Sequence, residues 1–307
     1  VQFASRDIVS IRDFSRQEID YVLEMTDVVE PMAKIGSHTL DGKIMATLFF
    51  EPSTRTRFSF ESAMYRYGGE CIGFAEPKAA SVEKGENLAD TVRVVENYAD
   101  VLVIRHPLEG AARLAAEFAS VPVINAGTGA EEHPTQAMLD LYTIRKEVGK
   151  IDGLNIVLAG DLRYGRTVHS LAYALSLYDD ISLHLVSAPS LRMRKEVLEE
   201  VSDRIRVDEM EDLSKVIPEA DVIYMTRIQK ERFGSLEDYE KVRGSYRLSA
   251  EDLTIAKPKM IVMHPLPRVD EIAFNVDNTP HSKYFKQVWY GLLVRMSLIG
   301  LVLGVLS

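Results

Sequence analysis

Residues 52–57 read Pro52-Ser53-Thr54-Arg55-Thr56-Arg57, three hydroxyls and two guanidiniums at the opening of a helical pattern. Side chains of these types at this spacing bind anions. The first N–H groups of a helix have no partner within it, and the positive end of the helix dipole favours negative charge. Hydroxyls add donors, and a guanidinium offers a two-pronged fork that fits a phosphate. Arg105-His106-Pro107 follows another short apolar run. If both runs are strands of one parallel sheet, both cations reach its carboxyl edge, where open α/β sheets bind ligands. His133-Pro134-Thr135-Gln136 places an imidazole and a carboxamide at the start of a further helical pattern.

A second group lies downstream. Arg166 follows the loop Gly160-Asp161-Leu162-Arg163-Tyr164-Gly165, and Arg227-Ile228-Gln229 follows the apolar run 222–225. Two guanidiniums at equivalent strand ends make surface placement of both less expected and suit a small anion. The loop lacks the G-x-G-x-x-G spacing of a dinucleotide turn, and its arginines would have no role in one. His264-Pro265-Leu266-Pro267 reads as a rigid turn that leaves the Leu266 carbonyl free to accept a hydrogen bond, and a cis bond before Pro267 is energetically accessible. By composition alone, Ser81-Val82-Glu83-Lys84-Gly85-Glu86 is a solvated loop.

Secondary elements must bring these groups to sheet edges. Ser15-Arg16-Gln17-Glu18 has capping-box spacing and opens an amphipathic pattern through Ile19, Val22, Leu23 and Val29 that ends near Gly36, which predicts a helix. Runs 43–50, 101–104 and 121–124 predict short buried strands, with helices over 58–67 and 111–119. After a helix over 135–148 the alternation resumes, with strands at 156–159, 181–186, 222–225 and 260–263 and helices over 167–177 and 191–201. This pattern belongs to parallel sheets covered by helices on both faces, and it repeats as two α/β domains. Segment 125–132 reads as the loop at their boundary, with the following helix as a hinge. An apolar helix from about Tyr284 onward exceeds what a small second core would bury.

Composition narrows the partners. The 307 residues suffice for two domains of about 100–200 residues each, and 46% hydrophobic residues supply a core for both. A formal net charge of −10 opposes nucleic-acid binding, so arginine clusters in this acidic chain point to small anions. The one cysteine, Cys71, forms no intrachain disulfide and reads as a packed thiol, and seven histidines show no metal-site spacing. Residues 1–12 lack the features of a secretory signal, and Arg295 interrupts the apolar stretch 291–307. An intracellular protein outside the membrane is expected.

Phe50-Glu51-Pro52-Ser53-Thr54-Arg55-Thr56-Arg57-Phe58-Ser59-Phe60-Glu61 resembles the carbamoyl phosphate motif of the aspartate/ornithine carbamoyltransferase family. Further matches follow in family order at 81–86, 105–107, 133–136, 160–167, 225–232 and 264–271, so the resemblance covers nearly the whole chain. It implies a carbamoyl phosphate domain of residues 1–132 plus 286–307, with the C-terminal helix packing back on it, and an aspartate domain of residues 133–285. Ser53, Thr54, Arg55 and Thr56 would hold the phosphate, and Arg105 would bridge phosphate and carbamoyl oxygen. His133 would donate to the carbonyl oxygen, Gln136 would accept from the carbamoyl nitrogen, and Leu266 would contact both substrates. Arg166, Arg227 and Gln229, with Lys84, would bind the aspartate carboxylates.

By the same resemblance, Ser81 and Lys84 reach in from a neighbouring subunit of a homotrimer, and Glu51 with Arg166 and Arg232 locks a closed domain arrangement. Arg55, Thr56, Arg105, His133 and Lys84 would be catalytic. Pro265 stands where ornithine enzymes typically carry cysteine, and Glu51-Pro52 also matches the aspartate branch. The implied reaction is carbamoyl transfer to the amino group of L-aspartate, giving N-carbamoyl-L-aspartate and phosphate for pyrimidine biosynthesis in the cytoplasm, without a cofactor or metal. Ornithine as acceptor and a catalytically silent assembly subunit are the alternatives. Similarity around Glu109-Gly110-Ala111-Ala112-Arg113 to members that bind a separate regulatory chain suggests such a partner. Segment 233–248 departs most from the family pattern.

Overall fold

The computed structural model describes residues 2–75, 85–228, 235–242 and 246–306. Ser81, Lys84, Gln229 and Arg232, and parts of 233–248, lie outside the described residues. The chain divides into two compact units, Val1–Leu139 with Trp289–Ser307, and Asp140–Val288.

The first unit opens with α1 (Arg16–Ile35), whose Ser15 side chain accepts from the Glu18 N–H while the Glu18 carboxylate accepts from the Ser15 N–H. This reciprocal cap stabilises the helix start by about 1 kcal/mol. Then follow β1 (Ile44–Phe49), α2 (Thr54–Arg66), β2 (Glu70–Phe74), α3 (Leu88–Val95), β3 (Val101–His106), α4 (Ala111–Phe118) and β4 (Val123–Thr128). The four strands are parallel in the order β2-β1-β3-β4. Ala46, Leu48, Leu102, Ile104 and Val123 pack with Val92 of α3 and Ala115 of α4. The chain leaves β1 to one side and returns on the other as β3, so the topological switch point lies between those two strands.

The second unit takes in the latter part of α5 (Pro134–Val148), then β5 (Asn155–Ala159), α6 (Arg166–Leu175), β6 (Ser182–Val186), α7 (Lys195–Ser202), β7 (Arg206–Met210), β8 (Val222–Met225), α8 (Leu236–Val242) and β9 (Ile261–Met263). Its five parallel strands run β7-β6-β5-β8-β9, which puts the switch point between β5 and β8. Its core joins Val157, Ile223, Met225 and Val262 to Leu248, Leu253, Ile272 and Tyr284.

The last helix, α9 (Tyr284–Val302), begins in the second unit and finishes in the first. There the Ser297 hydroxyl donates to the Val22 carbonyl of α1 at 3.1 Å, and Arg295 donates to the Ser59 hydroxyl of α2 at 2.9 Å. The Arg295 guanidinium also lies 5.0 Å from the Phe60 ring centroid. A hydrogen-bonded arginine can thus be buried in this apolar helix, and the helix packs back on the first domain as the sequence implies. Among the described residues no helix is long and apolar enough to cross a membrane.

Three local expectations need correction. Asn125–Thr128, expected as loop, continue β4, because the Asn125 side chain donates to the Val9 carbonyl and accepts from the Gly127 N–H, satisfying polar groups that a buried loop would strand. Helix α2 begins at Thr54, so the motif does form its first turn as read from the sequence, whereas α7 starts at Lys195 rather than 191, after a separate short turn at Pro189–Leu191. Strands β2 and β7, unanticipated, each lie at one edge of their sheet: Glu70 is exposed in one and Arg206, Asp208 and Glu209 are exposed in the other, so neither shows a continuous apolar run.

Candidate functional site

In the first unit the anion motif stands at the switch point. Strand β1 ends at Phe49 opposite Arg105 of β3, and the Phe50 N–H donates to the Arg105 carbonyl at 2.8 Å. The chain then turns through Glu51 and Pro52 into α2, whose N-cap Ser53 makes no side-chain capping bond and whose first turn holds no acid, among the described residues. The contrast with the capping box of α1 is informative: the N–H groups opening α2 are not closed off by a Ser53 cap, and the dipole is not neutralised locally. Thr54 and Arg55 are exposed, Ser53 is half-buried and Thr56 is buried.

The two guanidiniums of the motif part company. Arg57 donates to Glu61 one turn along at 2.7 Å and so belongs to the helix surface. Arg55, two residues earlier, is exposed. Across the switch point Arg105 is 9% exposed and donates to the Ala126 carbonyl at 3.2 Å and to Glu51 Oε1 at 2.8 Å. A charge this buried persists because it is paired, and removing one member of such a pair costs about 3–5 kcal/mol. The His106 imidazole, next on the strand, is pulled below its usual 6.5 by burial, against the opposing charge of Glu51. It is therefore neutral at pH 7 and contributes no second cation.

His133, immediately before α5, and Gln136, in its first turn, are both buried. The His133 carbonyl accepts from the Gln136 and Ala137 N–H groups at 3.0 and 3.2 Å, which orients the first turn. Its predecessor Glu132 is buried at 5% exposure, accepting from the Ser10 hydroxyl at 2.6 Å and the Ile11 N–H at 3.2 Å. The N-terminal segment thus anchors the residue next to His133. Sequence reading missed this tie, since a serine and a glutamate 122 positions apart give no local signal.

In the second unit, Arg166 and Arg227 flank the β5–β8 switch point. Gly160 follows β5 at φ +117°, where an added Cβ would lie 2.3 Å from the Thr226 carbonyl, so only glycine lets the two strand ends approach. Asp161 then turns the loop by accepting from the Tyr164 N–H at 3.0 Å, and Arg166 opens α6. The Thr226 hydroxyl accepts from the Asp161 N–H at 3.0 Å and donates to the Ala159 carbonyl at 3.2 Å, tying the two arginine-bearing loops together. Arg166 and Arg227 are each half-buried. The tie between Asp161 and Thr226 also escaped the sequence reading, since the two residues lie 65 positions apart.

Beside β8, β9 leads into His264 and Leu266. Leu266 adopts φ +54° and precedes a cis peptide bond to Pro267, as anticipated. Its N–H donates to His264 Nδ1 at 2.7 Å. The left-handed region costs a leucine about 1–3 kcal/mol, so surrounding contacts must enforce it. Arg268, next in the motif, is occupied by Asp277 and the Tyr284 hydroxyl, and Asp277 is held below the usual carboxylate range by that guanidinium.

Among the described residues no group of three or more His, Cys, Asp or Glu side chains is placed to hold a metal ion. Burial and the nearby Glu61 push the Cys71 thiol up to about 12, so it stays protonated and unreactive.

Comparison with known proteins matches residues 6–146 to the family model "Aspartate/ornithine carbamoyltransferase, carbamoyl-P binding domain" and residues 152–302 to the corresponding "Asp/Orn binding domain". The chain is 58% identical, over all of both sequences, to the aspartate carbamoyltransferase catalytic subunit of Thermococcus kodakarensis. It is similar to the catalytic subunit of M. jannaschii aspartate transcarbamoylase at 50% identity and TM-score 0.89, with 96% of each chain covered. Trypanosoma cruzi aspartate transcarbamoylase, solved with carbamoyl phosphate and aspartate, superposes at TM-score 0.94 and 40% identity over 98% of each chain. Matched along both units, the chain belongs to the aspartate/ornithine carbamoyltransferase family.

Proposed function

We propose that this chain is the catalytic subunit of an aspartate carbamoyltransferase, moving the carbamoyl group of carbamoyl phosphate onto the amino group of L-aspartate in pyrimidine biosynthesis. The observation that carries the reading is the opening of α2, with Ser53, Thr54, Arg55 and Thr56 beside buried Arg105 at the first switch point. Phosphate fits that set by charge and by donor count. The first unit then serves as the carbamoyl phosphate domain and the second as the aspartate domain, with Arg166, Arg227 and Gln229 on the aspartate carboxylates. Pro265, in place of the cysteine typical of ornithine enzymes, favours aspartate as acceptor.

The reaction begins with attack of the neutral α-amine on the carbamoyl carbon, forming a tetrahedral oxyanion that expels phosphate. Both substrates are anions and repel one another in water, so the cations of the site first overcome that repulsion and hold the reacting atoms in line. Thr56, Arg105 and His133 stabilise the oxyanion, each such donor typically contributing ~2.7–4 kcal/mol. Gln136 accepts from the carbamoyl nitrogen, and the Leu266 carbonyl accepts from the incoming amine. The departing phosphate takes the amine proton, so no protein base and no cofactor is required. Glu51, now paired with Arg105, would turn to Arg166 and Arg232 on domain closure.

The working assembly is a cytoplasmic homotrimer in which Ser81 and Lys84 of one subunit complete the site of the next. A regulatory chain would dock near Glu109 and Arg113, whose guanidinium pairs with Asp13 at 2.9 Å. The direct test is carbamoyl transfer to L-aspartate and to L-ornithine, side by side in chelator-treated buffer. Product with aspartate alone is expected. Product with ornithine would overturn the assignment of Arg166 and Arg227, and silence with both would leave an assembly subunit.

A further inference from the structure

The N–H of Leu266 donates to His264 Nδ1 at 2.7 Å. A backbone N–H only donates, so Nδ1 must be the unprotonated ring nitrogen. The ring proton therefore sits on Nε2, which donates to Glu271 Oε1 at 2.6 Å. The other carboxylate oxygen of Glu271 accepts from the Val269 and Asp270 N–H groups at 3.1 Å each. His264 and Glu271 are 1% and 4% exposed. Although burial opposes it, hydrogen bonds from His264 and the backbone hold the Glu271 carboxyl below its usual 4.5, so it is ionised and accepts only. On its backbone side the His264 N–H donates to Gln287 Oε1 at 3.0 Å, and Gln287 donates to Asp140 Oδ1 at 2.6 Å. Each contact has one permitted direction, and the directions agree.

We propose that Glu271 and His264 are positioning residues for the Leu266 carbonyl: the carboxylate selects the imidazole tautomer, and the unprotonated Nδ1 holds Leu266 at its left-handed φ. This rests on the reading of Leu266 as acceptor for the aspartate amine. Neither side chain need touch substrate. Reversing the tautomer would place two donors face to face at Leu266 and swing the carbonyl away from the amine.

Two substitutions separate the halves of the device. In His264→Asn the amide oxygen stands near the place of Nδ1 and can accept from an N–H two residues on, as asparagine does in turns. In His264→Gln the amide reaches toward Glu271, and the acceptor for Leu266 is lost. His264→Asn is expected to keep kcat within about tenfold of the parent, while His264→Gln and His264→Phe lose about 100-fold, the scale of a misplaced reacting group. Affinity for inorganic phosphate should be unchanged in all three. Equal activity of the Asn and Gln variants would overturn the proposal, and that comparison stands even if the Phe variant does not fold.

A 15N spectrum of the parent's imidazoles, with the His264→Asn variant identifying the signal, reads the tautomer without turnover. A neutral Nε2–H form, giving way to a changed signal in Glu271→Gln, is expected. An Nδ1–H form would reject the relay. A chain that carbamoylates neither amino acid would refute the proposed activity and leave the relay to be judged by this spectrum.

Discussion

The loops after β1 and after β9 occupy the same kind of position, the carboxyl end of a parallel strand, and carry opposite chemistry. The first presents donors and positive charge, with Thr54 and Arg55 exposed and the helix start uncapped by Ser53. The second presents a carbonyl acceptor, and the groups that aim it, His264 and Glu271, are buried. A charged ligand can be captured by side chains that remain accessible and adjust to it. A neutral carbonyl has no comparable pull, so its direction must be fixed in advance by the fold.

The sharpest way to break this contrast is Arg105→Ala. Loss of a buried donor and of the 2.8 Å partner of Glu51 should lower kcat/KM by about 1,000-fold, or ~4 kcal/mol, and weaken phosphate binding in titration calorimetry. A loss of only a few fold would mean that capture rests on Arg55 and the helix start alone. Next in size, Arg227→Ala should raise the aspartate KM by about 100-fold, or ~2.7 kcal/mol, with phosphate affinity unchanged. A matching fall in phosphate affinity would show that the two units do not divide the substrates.

Acid stability probes the buried side of the comparison. The Glu271 carboxyl is lowered in the folded state, so its contribution is complete above its usual 4.5 and is lost as pH falls through the lower folded value. Thermal unfolding of the parent should therefore weaken below about pH 4.5 more steeply than that of Glu271→Gln, which should itself be less stable by about 1.5–3 kcal/mol at neutral pH. Parallel acid profiles would assign the acid sensitivity to other carboxylates, Asp277 first. The smallest effect is expected from Thr226→Val, which deletes two hydrogen bonds between the arginine-bearing loops. A stability loss of about 1–2 kcal/mol with a modest rise in aspartate KM is anticipated, and a KM effect without destabilisation would make Thr226 a direct contact.

The same contrast explains what was legible in the sequence. Ser53, Arg55 and Thr56 sit within four positions and announce an anion site by type and spacing alone, as the capping box from Ser15 to Glu18 announces α1. Buried strands such as β3 and β8 were readable because both faces are covered and the apolar run is unbroken. Strands β2 and β7 were not, because exposed and charged residues interrupt their runs, whereas the opposite edge strands β4 and β9 are buried along their length and were readable. The ties of Ser10 to Glu132 and of Asp161 to Thr226 depend on chain segments brought together by folding, so no local pattern encodes them. Glu271 lay within a recognised motif, yet its task appears only when the hydrogen-bond directions are followed in space.

The return of α9 to the first unit also sets an order of assembly. Ser297 bonds to Val22 across 275 positions, and Arg295 to Ser59 across 236. During synthesis α1 and α2 emerge early, but the surface they share with α9 stays uncovered until residues 289–306 have left the ribosome. The second unit, Asp140–Val288, is contiguous in sequence and can finish first although it is made later. Nascent chains stopped just after Val288 should therefore hold a protease-resistant second unit beside an unfinished first one, the reverse of the usual N-to-C progression of domain folding.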